Sequence, residues 1–164
     1  MLMTEMTEYT KNIFNDEDLL REKMKMFLGT RSASEINSYA RACEKFFING
    51  GRQHLKFTVA WNWSAFIFTT FFFLYMKDYL GAVICFVLSI LLSLVLTPVF
   101  GTVVAMSVAG ACAKYSIARR FVTLLNYEDD EVLKLNSGKN TWVIAGLLIL
   151  GLLGIVAGVM GSLQ

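Results

Sequence analysis

Residues 80–113 read LGAVICFVLSILLSLVLTPVFGTVVAMSVAGACA and contain no Asp, Glu, Lys, Arg or His. An apolar run of this kind is typical of membrane helices, which need about 20 apolar residues each. As one helix the run would be about 50 Å long, more than a bilayer requires. Pro98 and Gly101 interrupt it, so we predict a tight hairpin at Thr97 to Gly101, with one kinked, over-long helix as the alternative.

The composition of the whole chain agrees with a membrane protein. Hydrophobic residues make up 55% and charged residues only 17%, whereas soluble domains are about 25% charged. Residues 1–56 hold most of the charges, while the rest of the chain is nearly uncharged. The net charge of +2 is small and evenly mixed, so no nucleic-acid partner is expected. Because Met1 to Tyr9 lacks the features of a signal peptide, we place the N-terminus in the cytoplasm.

The N-terminal third predicts two short amphipathic cytoplasmic helices after a frayed start at residues 1–10. Asp16 is a candidate N-cap and Gly29 a candidate C-terminal stop for the first helix. Ser32 and Glu35 form a candidate capping box for the second. Such helices must bury their apolar faces against each other, the membrane or a partner. The second helix carries an apolar stripe that consists of Ile36, Tyr39, Cys43 and Phe47. The predicted interaction face combines this stripe with Trp61, Asn62 and Trp63 of the next segment. We expect the stripe to dock onto 57–75 as a platform for a partner.

Topology can be argued from charge. The aromatic run 57–76 and the run 141–162 are also apolar, but four crossings would place the basic segment 114–141 outside, against the positive-inside rule. If 57–76 dips in and returns, or lies at the interface, three spans remain and every Lys and Arg is cytoplasmic. Alternatively, 57–76 spans and 80–113 is one kinked span. Both alternatives put the C-terminus outside.

Small residues recur at helical spacing in two of the apolar runs. Because lipid supplies no hydrophobic drive between helices, small-residue faces allow close helix packing. We favour packing within one chain, followed by self-association, with a conducting pore third. The predicted helix-packing face consists of Gly151, Gly154, Gly158, Gly161, Ala105, Ala109 and Ala113.

The residue pattern gives little support for catalysis or for a metal or cofactor site. The apolar runs offer no nucleophile with a base, so we expect no enzyme, and no cofactor or metal site is indicated. His54 is interpreted as an ordinary surface residue and the acidic cluster 128–131 as a solvated face. The odd, widely spaced Cys43, Cys85 and Cys112 indicate no disulfide framework.

The segment 61–79 carries a family resemblance. It reads Trp61-Asn62-Trp63-Ser64-Ala65-Phe66 and ends Tyr75-Met76-Lys77-Asp78-Tyr79, which resembles the bacterial inner-membrane family catalogued as domain of unknown function 2628. Gly110 to Arg120 is similar to a second landmark of that family. Thr69 and Thr70 stand where the family usually has a Gly-Pro break, which argues against a re-entrant break in 57–76. The resemblance implies a bacterial inner-membrane location and no established activity.

Together these observations predict an all-α membrane protein with two short amphipathic cytoplasmic helices followed by a bundle of three to four hydrophobic helices. The expected divisions are a cytoplasmic region 1–56, an aromatic helix plus hairpin 57–113, a cytoplasmic loop 114–141 and a glycine-rich transmembrane helix 142–164. The expected function is that of a non-enzymatic, multi-pass inner-membrane interaction or regulatory component, with the lipid bilayer and an unknown membrane or cytoplasmic protein as partners. A self-associating homo-oligomer and an immunity protein against a toxin are the alternatives.

Overall fold

The computed structural model describes residues 5–149, and within that range the secondary structure is helical. This confirms the all-α prediction. The helices are α1 Glu8–Asn15, α2 Glu17–Leu28, α3 Ala33–Asn49, α4 Trp63–Tyr75, α5 Tyr79–Val95, α6 Pro98–Leu125 and α7 Asp130–Leu135. Residues 142–149 are helical as well.

The N-terminal third contains three amphipathic helices rather than the expected two. The additional helix, α1, begins directly after Thr7, whose side chain accepts a hydrogen bond from the Thr10 amide. The buried Thr10 hydroxyl in turn donates to the Asn126 side chain over 2.8 Å. The expectation of a frayed start is therefore wrong from Glu8 onward, because a residue at the far end of α6 holds this segment in place.

The predicted start and end signals are confirmed for α2 but only partly for α3. Asp16 caps α2 by accepting from two backbone amides, and Gly29 ends it in the left-handed conformation, as predicted. Ser32 occupies the N-cap of α3 but makes no capping side-chain hydrogen bond. The predicted capping box is wrong because the carboxylate of Glu35 binds Lys139 at 2.6 and 2.7 Å instead.

The C-terminal half of α6 completes a core with the N-terminal helices. Ile117, Phe121 and Val122 are fully buried. The ring of Phe121 lies 5.1 Å from that of Phe27 and 6.1 Å from that of Phe14. Segment 114–141 is therefore not a loop throughout, because the apolar period of α6 continues past Lys114 to Leu125 and α7 follows.

Helices α5 and α6 form the expected hairpin. The connection passes through Leu96 and Thr97, and Pro98 occupies the first turn of α6, where its missing N–H costs nothing. A side chain at Gly101 would lie 2.8 Å from the backbone of Leu92, so the two helices meet with almost no gap. Of the described helices, only α6 is both long and apolar enough to cross a membrane, while α4 and α5 are apolar but shorter.

The aromatic helix α4 is broken in the middle. Thr69 has φ 41° and ψ −117°, which divides α4 into two short helical pieces. A β-branched residue with positive φ is strained. The chain thus breaks at the position where the resembled family has Gly-Pro, although both residues there are threonines.

Candidate functional site

Asn62 joins the aromatic segment to two other helices. Its side-chain oxygen accepts from the Ala65 amide at 3.1 Å and so caps α4, while its amide group donates to the Tyr39 hydroxyl at 3.1 Å. The Asn62 backbone N–H donates to the Gly110 carbonyl at 2.9 Å. This buried residue therefore crosslinks α3, α4 and α6.

Both ends of α4 are bound to the same portion of α6. At its start, the backbone N–H of the N-cap residue Asn62 donates to the carbonyl of Gly110. Past its last residue, the carbonyl of Met76 accepts from Arg120 at 2.6 Å, and Asp78 accepts from the hydroxyl of Ser116. Since 110 to 120 is only about 15 Å of helix at 1.5 Å per residue, the two ends of α4 lie close together along α6, and α4 also packs on α5.

A cleft of about 760 Å³ lies between α3, α4 and the helix at 142–149. Its volume is within the range of about 300–1,000 Å³ that is usual for small-molecule sites. The walls are mainly aromatic and aliphatic side chains: Trp61, Trp63, Phe68, Phe71, Phe72, Val143, Ile144, Leu147 and Leu148. Several of these also face outward, Trp63 with 68% of its surface exposed. We call this cavity the aromatic cleft.

The charged groups of the aromatic cleft come from α3, α6 and the segment before residue 142. The Lys139 ammonium pairs with Glu35 and lies 5.6 Å from the centre of the Tyr75 ring. The Lys114 ammonium donates to the Ser38 hydroxyl at 2.8 Å and lies 5.9 Å from the Tyr39 ring centre. Within residues 5–149, Lys114 has no carboxylate partner, so its charge is available to a ligand.

A shallower, basic groove adjoins the aromatic cleft. It has a volume of about 510 Å³ and shares Ser38 and Lys114 with the cleft. Arg41 and Lys45 also line it. We call it the basic groove. An apolar cavity therefore adjoins a positively charged surface, and Lys114 lines both.

Two buried side chains of α3, Tyr39 and Cys43, stay neutral at physiological pH. Burial raises the pKa of the Tyr39 hydroxyl above its ordinary value, and the hydrogen bond from Asn62 offsets only part of that rise. Burial likewise raises the pKa of the Cys43 thiol to about 12. Both side chains therefore act as hydrogen-bonding or apolar groups in the core.

The predicted interaction face is divided by the structure. Ile36, Cys43 and Phe47 are buried within the chain, and α3 packs chiefly on α2 and α6 rather than on 57–75. The reason is that α1 and α2 supply aromatic partners, such as Phe14, whose ring lies 5.2 Å from that of Phe47. The other four residues of the predicted interaction face line the aromatic cleft together: Tyr39, Trp61, Asn62 and Trp63.

Two lysines that complete the cleft were not singled out from the sequence. Lys114 is the first charge after the apolar run, a signal that was available. Lys139 is 104 residues away from Glu35 in the chain, and no sequence pattern joins them.

The three alanines of the predicted helix-packing face lie at contacts between helices of one chain. Ala105, Ala109 and Ala113 are buried, and a side chain at the neighbouring Gly110 would lie 3.1 Å from Phe66. Gly151, Gly154, Gly158 and Gly161 lie outside the described residues. Among residues 5–149 there is no cluster of three potential metal ligands. In the acidic cluster, Asp130 pairs with Lys23 and Asp129 caps α7.

No family profile, no curated protein and no solved structure matches this chain. The resemblance to the domain of unknown function 2628 family therefore stays a prediction.

Proposed function

We propose that this chain is a non-enzymatic, multi-pass protein of the bacterial inner membrane that holds a cytoplasmic helical bundle against the bilayer for interaction or regulation. The observation that carries the proposal is the apolar surface around the hairpin. Val95 at the end of α5 is 82% exposed and Phe100 at the start of α6 is 69% exposed, and exposed apolar side chains continue along α5 and the first half of α6. Monomeric soluble proteins rarely expose patches of this extent.

The length of the hairpin supports a bilayer environment. The 17 residues of α5 correspond to about 25 Å, close to the hydrocarbon thickness of about 30 Å. No charged residue occurs from 79 to 113. The hairpin therefore matches a bilayer in both size and polarity.

The position of the basic residues supports a cytoplasmic bundle. Lys77, between α4 and α5, donates to the Ser137 carbonyl at 2.6 Å, and Arg120 donates to the Asn136 carbonyl at 2.7 Å. Because none of the fifteen Lys and Arg lies between residues 79 and 113, they share one side of the apolar part of the hairpin when α4 does not cross. The positive-inside rule assigns that side to the cytoplasm.

Cysteine labelling in intact cells tests this topology. Single cysteines are introduced at positions 54, 78, 98, 128 and 164 after the three native cysteines are replaced by Ala, and a membrane-permeant reagent serves as the control. With α4 returning to the cytoplasmic side, an impermeant reagent labels 98 and 164 from outside and leaves 54, 78 and 128 unlabelled. Labelling of 78 or 128 from outside contradicts the proposed topology.

The interaction role is tested at the end of α6 that is farthest from the hairpin tip. Tyr127 follows α6 there and is largely exposed, and exposed Tyr side chains are enriched in protein interfaces. A photoreactive amino acid at Tyr127, with one at the exposed Glu22 as the control, is irradiated in cells. A discrete protein adduct at 127 alone supports the interaction role, whereas an adduct with the mass of two copies supports self-association. The absence of any adduct contradicts both.

A further inference from the structure

We infer that the aromatic cleft and the basic groove together form a binding site for an anionic bilayer phospholipid. One acyl chain would occupy the aromatic cleft, and the phosphate headgroup would lie at Lys114. The inference rests on the proposed membrane location and adds a ligand class to it.

The shape and polarity of the cavity match an amphiphile. The apolar walls come mainly from Trp61, α4 and residues 143–148, whereas the charged groups are Glu35 of α3, Lys114 and Lys139. A wholly polar ligand would leave the aromatic walls unpartnered, and a wholly apolar one would bury Lys114 without an anion. A molecule with one charged end and one hydrocarbon end satisfies both parts.

Charge complementarity selects an anion over a zwitterion. Arg41, Lys45, Lys114 and Lys139 line the two adjoining cavities, against one carboxylate, that of Glu35. Lys139 is already neutralised by Glu35, which leaves Lys114 and the two cations of the basic groove. Clusters of basic residues beside a membrane helix are the usual recognition element for anionic lipid headgroups.

The position of the site makes bilayer lipid the most accessible source. Both ends of α4 are bound near the bundle, and the outward-facing Trp63 and Phe68 form part of the cleft. Trp favours the water boundary of a bilayer. A lipid in the leaflet next to the bundle could therefore enter sideways without leaving the membrane.

Tryptophan quenching by brominated lipids tests the inference. Trp61 and Trp63 line the cleft, and Trp142→Phe removes the third tryptophan of the chain. The full-length variant is reconstituted into phosphatidylcholine vesicles that contain either brominated phosphatidylglycerol or brominated phosphatidylcholine at the same mole fraction. We expect stronger quenching by the brominated phosphatidylglycerol.

Substitutions at the junction of the two cavities sharpen the test. Lys114→Gln should lower the preference for phosphatidylglycerol about fivefold, the effect typical of one basic residue at an anionic surface. Lys114→Arg should retain the preference. The matched control is Lys134→Gln, which removes an exposed lysine of α7 outside both cavities and should leave the preference unchanged.

Equal quenching by the two lipids would overturn the inference, as would a preference that Lys114→Gln leaves intact. Quenching by neither lipid would mean that protein fills the cleft, which also overturns it. Flotation with pure phosphatidylcholine vesicles separates the two proposals. A chain that floats but lacks lipid preference refutes only the lipid site, whereas a chain that does not float refutes the proposed membrane location.

Discussion

The two halves of α6 face different surroundings although they belong to one continuous helix. In the first half only the small residues, such as Ala105 and Ala109, are buried, and large side chains such as Phe100 face outward. In the second half the large side chains, such as Phe121, are buried and the charged ones lie toward the surface. Large apolar residues point outward where lipid is the proposed solvent and inward where water is. The position of the large residues therefore identifies the solvent better than their number does.

The largest expected effect comes from the buried half. Phe121→Ala removes a ring that contacts Phe14 and Phe27 and should lower the free energy of unfolding by about 3–5 kcal/mol. The matched control is Phe100→Ala in the exposed half, which should change it by less than about 0.5 kcal/mol. Thermal unfolding in detergent, followed by circular dichroism, measures both. Equal losses would show that the two halves do not differ in solvent.

Tight packing in the first half should be sensitive to added volume. Gly101→Val places a side chain against the backbone of Leu92 at 2.8 Å and should destabilise the hairpin by about 1–3 kcal/mol. Gly146→Ala is the control, because that position has open space around it, and it should be neutral or stabilising by up to about 1 kcal/mol. The midpoint of heat unfolding in detergent distinguishes them. A neutral Gly101→Val would contradict the close approach of α5 and α6.

A substitution at the break in α4 should raise the stability of the protein, whereas Phe121→Ala and Gly101→Val should lower it. Thr69→Gly should raise stability by about 1–3 kcal/mol, because glycine adopts positive φ without the strain that threonine carries there. Thr70→Gly, one residue further within the helix, should lower stability by up to about 1 kcal/mol. The same unfolding assay compares them. Destabilisation by both substitutions would argue that α4 is a continuous helix.

A smaller effect is expected at the ion pair of the aromatic cleft. Glu35 and Lys139 are partly exposed, at 26% and 18% of their side-chain surfaces, so solvent screens their attraction. A double-mutant cycle with Glu35→Gln and Lys139→Gln should give a coupling of about 0.5–1 kcal/mol. A coupling near zero would show that the pair does not hold residue 139 against α3.

The least perturbing test uses the reactivity of Cys43. Because burial raises the pKa of this thiol to about 12, thiolate is scarce at pH 8 and increases only as the pH approaches that value. Alkylation of a Cys85→Ala, Cys112→Ala variant should therefore be very slow until the bundle unfolds. Mass spectrometry of timed samples, with a denatured sample as control, measures it. Rapid labelling of the native protein would show that the core of the bundle opens readily.

Local sequence signals predicted much of the fold, and long-range contacts account for what they missed. The caps at Asp16 and Gly29 and the hairpin at Pro98 depend on neighbouring residues, and each was predicted. The start of α1 depends on Asn126, and the side chain of Glu35 is drawn away from its predicted cap by Lys139. The sequence does not predict the extension of α6 because Lys114 ends the apolar run, although the helical period continues to Leu125.

The candidate site shows the same division. Tyr39, Asn62 and the adjacent tryptophans were predicted to share a surface, and they meet in the aromatic cleft. Ile36 and Phe47 were assigned to that surface from their stripe alone, but periodicity identifies only a buried face and not what covers it. In this chain the covering elements are α2 and α6.

The continuity of α6 gives the protein a mechanical property. Its 28 residues form a stiff rod of about 42 Å, with one end in the proposed hydrocarbon layer and the other beside Phe14 and Phe27. Membrane helices change their tilt when bilayer thickness changes, and a tilt of about 10° would displace the far end of such a rod by about 7 Å. In the proposed membrane setting, a change in the thickness of the bilayer would therefore reach the N-terminal helices as a displacement of the end of α6 that they surround.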